Sequence, residues 1–150
     1  MNPRRILLVE DSLHDTEMTL DAFQQYHLVN EIVPLRDGAE ALDYLYRRGS
    51  YADRPEGNPA VILLDLKMPR VDGLEVLRQI KADARLRVIP VVVMTSSREE
   101  QDLVQSYQLG VNAYVVKPLE FHAFIDAIKV VGAFWAVLNE PPPREPPRAV

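Results

Sequence analysis

The sequence predicts an α/β domain built on a doubly wound, five-stranded parallel sheet with helices on both faces. Three observations predict it. Short apolar runs without polar alternation mark strands buried on both faces. Stretches of helical periodicity separate those runs, so β and α alternate five times and the crossovers are right-handed. Four of the runs also end in a residue with useful chemistry.

The elements follow in order. Residues 6–9 (Ile-Leu-Leu-Val) form a first strand that runs into Glu10 and Asp11. Residues 13–26 place Met18, Leu20, Ala22 and Phe23 among polar neighbours, and Ser12 can cap that helix. Residues 31–35 read as a weaker strand at an edge, where Pro34 is tolerable. Residues 38–47 carry Ala41, Leu42 and Leu45 at helical spacing, and 49–59 form a Gly-, Pro- and Asp-rich loop longer than most such connections.

The third strand, 61–64, runs into Asp65, and Leu74, Val76, Leu77 and Ile80 give the helix 73–82 its apolar face. The strand 91–94 runs into Thr95. Residues 98–108 begin with Glu99 and Glu100, acids suited to a first helical turn, and stop before Gly110. Residues 111–116 form the last strand and run into Lys117-Pro118, and a final helix covers about 120–138. Residues 1–138 therefore make one domain. Residues 139–150, with the run Pro-Pro-Pro-Arg-Glu-Pro-Pro-Arg, make an extended tail that cannot pack as helix or strand.

Composition narrows the function. At 150 residues, 47% hydrophobic and 26% charged, the chain has the size and balance of one soluble globular domain. A net charge of −5 argues against binding nucleic acid. With no cysteine, disulfides, thiolate metal sites and cysteine nucleophiles are excluded, which suits a reducing cytoplasm. No apolar run approaches the roughly 18 residues of a membrane span, and the run after Arg4-Arg5 is too short for a signal peptide.

In a parallel sheet the carboxyl ends of the strands share one edge, where open α/β sheets bind ligands. Glu10, Asp11 and Asp65 would meet there and could not all stay ionised without compensation. Mg²⁺ supplies that compensation, since it prefers carboxylate and carbonyl oxygens and bridges to phosphate. Thr95 adds a hydroxyl and Lys117 a positive charge. Together these are the parts that phosphoryl transfer needs. Asp65, mid-sheet with Thr95 and Lys117 expected to either side, is the predicted covalent acceptor. Taken singly, each residue has a plainer reading as a cap, a turn or a loop dipeptide; their shared position after apolar strands is what favours the site.

Glu10-Asp11, Asp65-Leu66-Lys67-Met68-Pro69 with Asp72-Gly73, Thr95-Ser96-Ser97 and Lys117-Pro118 resemble the receiver domain of bacterial two-component response regulators. The resemblance covers about residues 4–136. It implies a flavodoxin-like strand order 2-1-3-4-5 and an Asp65 that takes a phosphoryl group from the phosphohistidine of a sensor histidine kinase. It also implies Mg²⁺ held by Glu10, Asp11, Asp65 and the Lys67 carbonyl. Lys117 would pair with phosphoryl oxygens, and its bond to Pro118 would be cis. Glu at position 10, where Asp is commoner, reaches further and implies metal contact through water. A switch is implied too, in which Thr95 moves toward the phosphoryl group and Tyr114 rotates inward. Such a domain phosphorylates and dephosphorylates itself but is not a turnover enzyme.

Too little chain follows the last helix for a DNA-binding domain. Asp102, Tyr107, Asn112-Ala113-Tyr114, the long loop and the late Phe-Trp resemble the small regulators that partner phytochrome-type histidine kinases, bacteriophytochromes among them. In the last helix, Phe121, Phe124, Ile125, Ile128 and Trp135 form a stripe facing the sheet. Ala123, Ala127, Val130, Phe134 and Leu138 form a second stripe that predicts a homodimer interface; the alternative cover is the Pro-rich tail. His14, His27 and His122 are isolated and read as surface or packing residues.

Three rival readings remain. An aspartate-nucleophile phosphatase of the haloacid-dehalogenase kind needs a general acid two residues after the nucleophile, where this chain has Lys67. A flavodoxin-like cofactor carrier needs a phosphate loop after Val9 and a less acidic edge. A degenerate receiver acting as scaffold would not need so complete a site.

Overall fold

The computed structural model describes residues 5–25, 30–68, 71–96, 98–106, 108–111, 113–117 and 119–130. Five parallel strands stand in the order β2-β1-β3-β4-β5: β1 (Ile6–Val9), β2 (Ile32–Leu35), β3 (Val61–Asp65), β4 (Val91–Thr95) and β5 (Tyr114–Val116). Helices α1 (Leu13–Gln25), α2 (Gly38–Tyr46), α3 (Gly73–Ala82), α4 (Arg98–Ser106) and α5 (Phe121–Val130) alternate with them. Among the described residues no helix is long and apolar enough to cross a membrane.

Alternation along each strand sorts the apolar side chains into two layers. Leu7, Val9, Ile62, Leu64 and Val93 join residues of α2 and α3 and Val104 of α4 on one face. Ile6, Leu8, Leu63, Val92, Met94 and Val115 join Phe23 of α1 and Phe121, Phe124 and Ile128 of α5 on the other. The aromatic rings of Phe23 and Phe124 lie 4.8 Å apart and tie α1 to α5. Each fully buried aliphatic or phenyl side chain contributes roughly 1.5–3 kcal/mol, so both faces hold the sheet firmly.

Local signals start the helices. Ser12 Oγ accepts from the Asp15 amide (3.2 Å), Asp37 Oδ1 from the Glu40 amide (2.8 Å) and Asp72 Oδ1 from the Glu75 amide (2.9 Å). Helix α2 stops at Arg47, which adopts a left-handed φ of 53° and closes the helix with its own amide. The edge position of β2 explains its Pro34, whose side chain is exposed.

The long loop is more ordered than its composition suggests. It opens with a single 3-10 turn, Gly49–Tyr51. Its Arg54 then folds back on α2, donating from Nε to the Tyr44 carbonyl (2.6 Å) with its guanidinium 4.3 Å from the centre of the Tyr44 ring. Two corrections concern the termini of elements. β3 and β4 each extend one residue further than the apolar runs, so Asp65 and Thr95 are the last residues of strands rather than the first of loops. β5 is shorter than 111–116 and starts at Tyr114.

Candidate functional site

The strand register sets the site. β1 lies beside β3, so Glu10 and Asp11 leave the sheet one strand from Asp65. β4 lies on the other side of β3 and ends in Thr95. The Glu10 amide donates to the Leu35 carbonyl (2.9 Å) and the Lys117 amide to the Thr95 carbonyl (2.8 Å), which extends the ladder to both functional residues. Helix α3 packs close above: a Cβ on Gly73 would overlap the Asp65 carbonyl oxygen and Leu66 Cα.

The sequence pattern sets Lys117 beside Asp65, on the strand flank opposite Thr95; the structure differs. Lys117 follows β5, two strands away on the same side as Thr95, and its side chain reaches back. Nζ lies 2.8 Å from Glu10 Oε1, 3.1 Å from Asp65 Oδ2 and 3.5 Å from Asp15 Oδ2. Glu10 and Asp65 are buried, whereas Asp11 is exposed. Glu10 Oε2 accepts from the Ser12 amide (3.1 Å), and Asp65 Oδ1 from the Lys67 amide (3.3 Å).

Burial pushes the Glu10 carboxyl up to about 7, against the lowering pull of its hydrogen bond to Lys117. Burial alone would lower the Lys117 ammonium, but the Glu10 hydrogen bond and the charge of Asp65 outweigh it and raise the group above the ordinary lysine value. Two buried carboxylates around one ammonium leave a surplus negative charge, which a proton or a cation relieves.

A divalent cation fits. One oxygen each from Glu10, Asp11 and Asp65 can lie within 4.8 Å of the others, the span of oxygens around a small hard ion. Lys67, whose carbonyl the resemblance adds to the ligands, sits with its amide 3.3 Å from Asp65 Oδ1. The fold brings Glu10, Asp11 and Asp65 together, and Thr95 is completely buried at the end of β4.

Tyr114 is half-buried, with its ring against the core layer that includes Val104. Its hydroxyl is enclosed and makes no hydrogen bond of good geometry, and burial raises its pKa. Gln105 sits near enough to offset part of that shift without making such a bond.

Two residues escaped sequence reasoning. Asp15 in α1 contacts Lys117. Glu100, buried in the first turn of α4, accepts from the Ser96 amide and from Ser96 Oγ (3.1 Å), with Lys67 Nζ 3.7 Å away. Acids in a first turn normally serve the helix, so no signal in the sequence marks either.

On α5, Phe121, Phe124 and Ile128 are buried and Ile125 partly so, as the first stripe requires. Ala127 corrects the second stripe: it is buried in the same core layer, because the helix turns it toward the sheet. Ala123 and Val130 are exposed. Phe134, Trp135, Leu138, Pro118 with its peptide bond, Tyr107, Asn112, His27 and the tail lie outside the described residues.

Residues 6–129 match the family model of the response regulator receiver domain. Response regulator Rcp1 of Synechocystis sp. is 39% identical over 133 residues, 89% of each chain. The structure of the bacteriophytochrome response regulator AtBRR superposes with a TM-score of 0.88 at 62% identity, over 93% of this chain and 100% of its own. A Mn²⁺-bound form of Rcp1 (TM-score 0.71, 39% identity, covering 94% of this chain and 100% of that one) is similar as well. So is the phosphorylated cyanobacterial phytochrome response regulator RcpA (TM-score 0.71, 40% identity, covering 89% and 94%).

Proposed function

We infer that this chain, which belongs to the response regulator receiver family, takes a phosphoryl group on Asp65 from the phosphohistidine of a phytochrome-type sensor histidine kinase. The observation that carries this reading is the Lys117 ammonium, seated 3.1 Å from Asp65 Oδ2 at the rim of a three-carboxylate cluster. The likeness to AtBRR and to RcpA supports the class of kinase.

The transfer uses the chain's own groups in fixed places. A carboxylate oxygen of Asp65 attacks phosphorus in line, the P–N bond breaks, and its electron pair returns to the imidazole of the kinase. The product is a mixed anhydride on Asp65. Glu10, Asp11, Asp65 and the Lys67 carbonyl would hold a Mg²⁺ ion, which would neutralise charge at the phosphoryl oxygens. Lys117 adds a second positive charge there, and the Thr95 hydroxyl orients a third oxygen. Burial of Glu10, Asp65 and Thr95 keeps these interactions in low dielectric, where they are strong.

The switch reading assigns Thr95 and Tyr114 as the moving pair. A threonine drawn toward the phosphoryl group vacates space behind it, into which the half-buried Tyr114 ring can turn. The chain acts in the cytoplasm as a phosphoacceptor that loads and clears itself, not as a phosphatase, because Lys67 stands where a general acid is needed. The exposed Ala123 and Val130 of α5 form part of the surface for a homodimer; light scattering at micromolar concentration is expected to give twice the chain mass.

Incubation with Mg²⁺ and acetyl phosphate tests the reading by intact mass. One alkali-labile phosphoryl group should be added, and Asp65→Asn should abolish it. Many equivalents hydrolysed per minute would favour the phosphatase instead, and no adduct at all would favour a scaffold.

A further inference from the structure

We propose that Asp15 is a positioning residue that receives the Lys117 ammonium when a divalent cation occupies Glu10 and Asp65, and so sets how tightly that cation binds. The inference rests on the metal-binding receiver reading above and deepens it.

Three carboxylates surround Lys117 Nζ, at 2.8 Å (Glu10), 3.1 Å (Asp65) and 3.5 Å (Asp15). Two of them belong to the cluster whose oxygens converge within 4.8 Å, together with Asp11; Asp15 does not. The lysine therefore sits on two of the three carboxylates that a cation needs. A cation held by Glu10 and Asp65, directly or through water, competes with the ammonium for their charge and repels it. Asp15 is the contact that the cation does not compete for.

The plain alternative is that Asp15 merely completes the helix cap. In a capping box, the acid at this position reaches back to the amide of the capping residue, here Ser12. That amide is already taken: it donates to Glu10 Oε2 at 3.1 Å. The Ser12 hydroxyl still accepts from the Asp15 amide, so the cap is half of a box. The carboxylate it leaves over points to Lys117. The single turn from Glu10 to Asp15 thus feeds one acid to the metal cluster and another to the lysine.

The sign of the effect follows. Removing the Asp15 charge leaves Lys117 held by Glu10 and Asp65 alone, so the cation must displace a more firmly seated ammonium. It also lowers the negative potential of the cleft. Both changes weaken the cation. Glu17, an exposed acid on the same helix, offers a control that removes an equal charge without touching Lys117.

Calorimetric titration of the full chain with MgCl₂ tests this without any phosphoryl donor. Asp15→Asn should raise the Kd for Mg²⁺ about three- to tenfold, and Glu17→Gln by clearly less. In a Lys117→Met background, wild-type Asp15 should matter far less, which is the coupling a double-mutant cycle measures. Should Asp15→Asn fail to fold, Asp15→Ser serves in its place. Equal effects of Asp15→Asn and Glu17→Gln overturn the proposal, as does an Asp15 effect that persists undiminished without the lysine. A wild-type chain that binds no Mg²⁺ would instead sink the metal-binding reading beneath it.

Discussion

At the scale of single residues, the site is governed by one uncompensated negative charge. Glu10 is raised to about 7 by burial, while in an unfolded chain it titrates near 4.5. Between those values the folded state holds a proton that the unfolded state has released. The contribution of Glu10 is therefore fully present below about pH 4.5 and lost as pH rises through about 7. Without divalent metal, denaturant melts are expected to show stability falling across that window by on the order of 1–3 kcal/mol. Glu10→Gln should flatten the fall, and added Mg²⁺ should reverse it at pH 7.5.

Gly73 makes a second residue-scale demand. Helix α3 begins so close to the end of β3 that any side chain there meets the backbone of Asp65 and Leu66. Gly73→Ala is expected to cost about 1–3 kcal/mol by overpacking. It should also lower the yield of the Asp65 adduct, because the strand end that aims the carboxylate must shift. A variant with unchanged melting and unchanged yield would show that α3 yields instead.

Among the elements, the strands were the most legible part of the sequence. β1, β3 and β4 are unbroken apolar runs because both faces of the sheet are covered, and their short length and β-branched content mark them as strands. Their last residues were harder. Asp65 and Thr95 are polar yet buried within the sheet, so hydrophobicity ends one residue before the strands do. β5, short and partly exposed at the far edge, gave the weakest boundary.

The loop after α2 was legible only as a departure from ordinary length. Composition hides its anchors, among them the Tyr51 hydroxyl on Glu40, Arg47 on the Arg54 carbonyl, and Arg54 itself. Arg54 donates to the carbonyls of Tyr44 (2.6 Å) and Pro55 (2.7 Å) and stacks on the Tyr44 ring. Arg54→Ala is expected to cost about 1–2 kcal/mol in denaturant unfolding. Adduct formation should be unchanged, since the loop enters β3 at the edge opposite Asp65.

For the whole molecule, the order of strands converts five separate sequence signals into one site. Glu10, Asp65 and Thr95 come from three neighbouring strands, and their meeting was predictable once the sheet was taken as parallel. The reach of Lys117 back across β4 follows from the 2-1-3-4-5 order that the resemblance implies, whereas the local pattern alone sets Thr95 and Lys117 to either side of Asp65. Asp15 and Glu100 were hidden: each sits in a first helical turn, where an acid has a sufficient local role, and only the assembled fold reveals a second partner. The α5 surface was half legible. Helical spacing grouped Ala127 with Ala123 and Val130, but the helix turns Ala127 into the core.

Phosphotransfer from an autophosphorylated, radiolabelled phytochrome-type histidine kinase tests the central claim most directly. In Mg²⁺ the label should pass from the kinase to this chain within about a minute, and neither chelation of the metal nor Asp65→Asn should permit it. Label that stays on the kinase, or that reaches the Asp65→Asn chain equally well, would contradict the account.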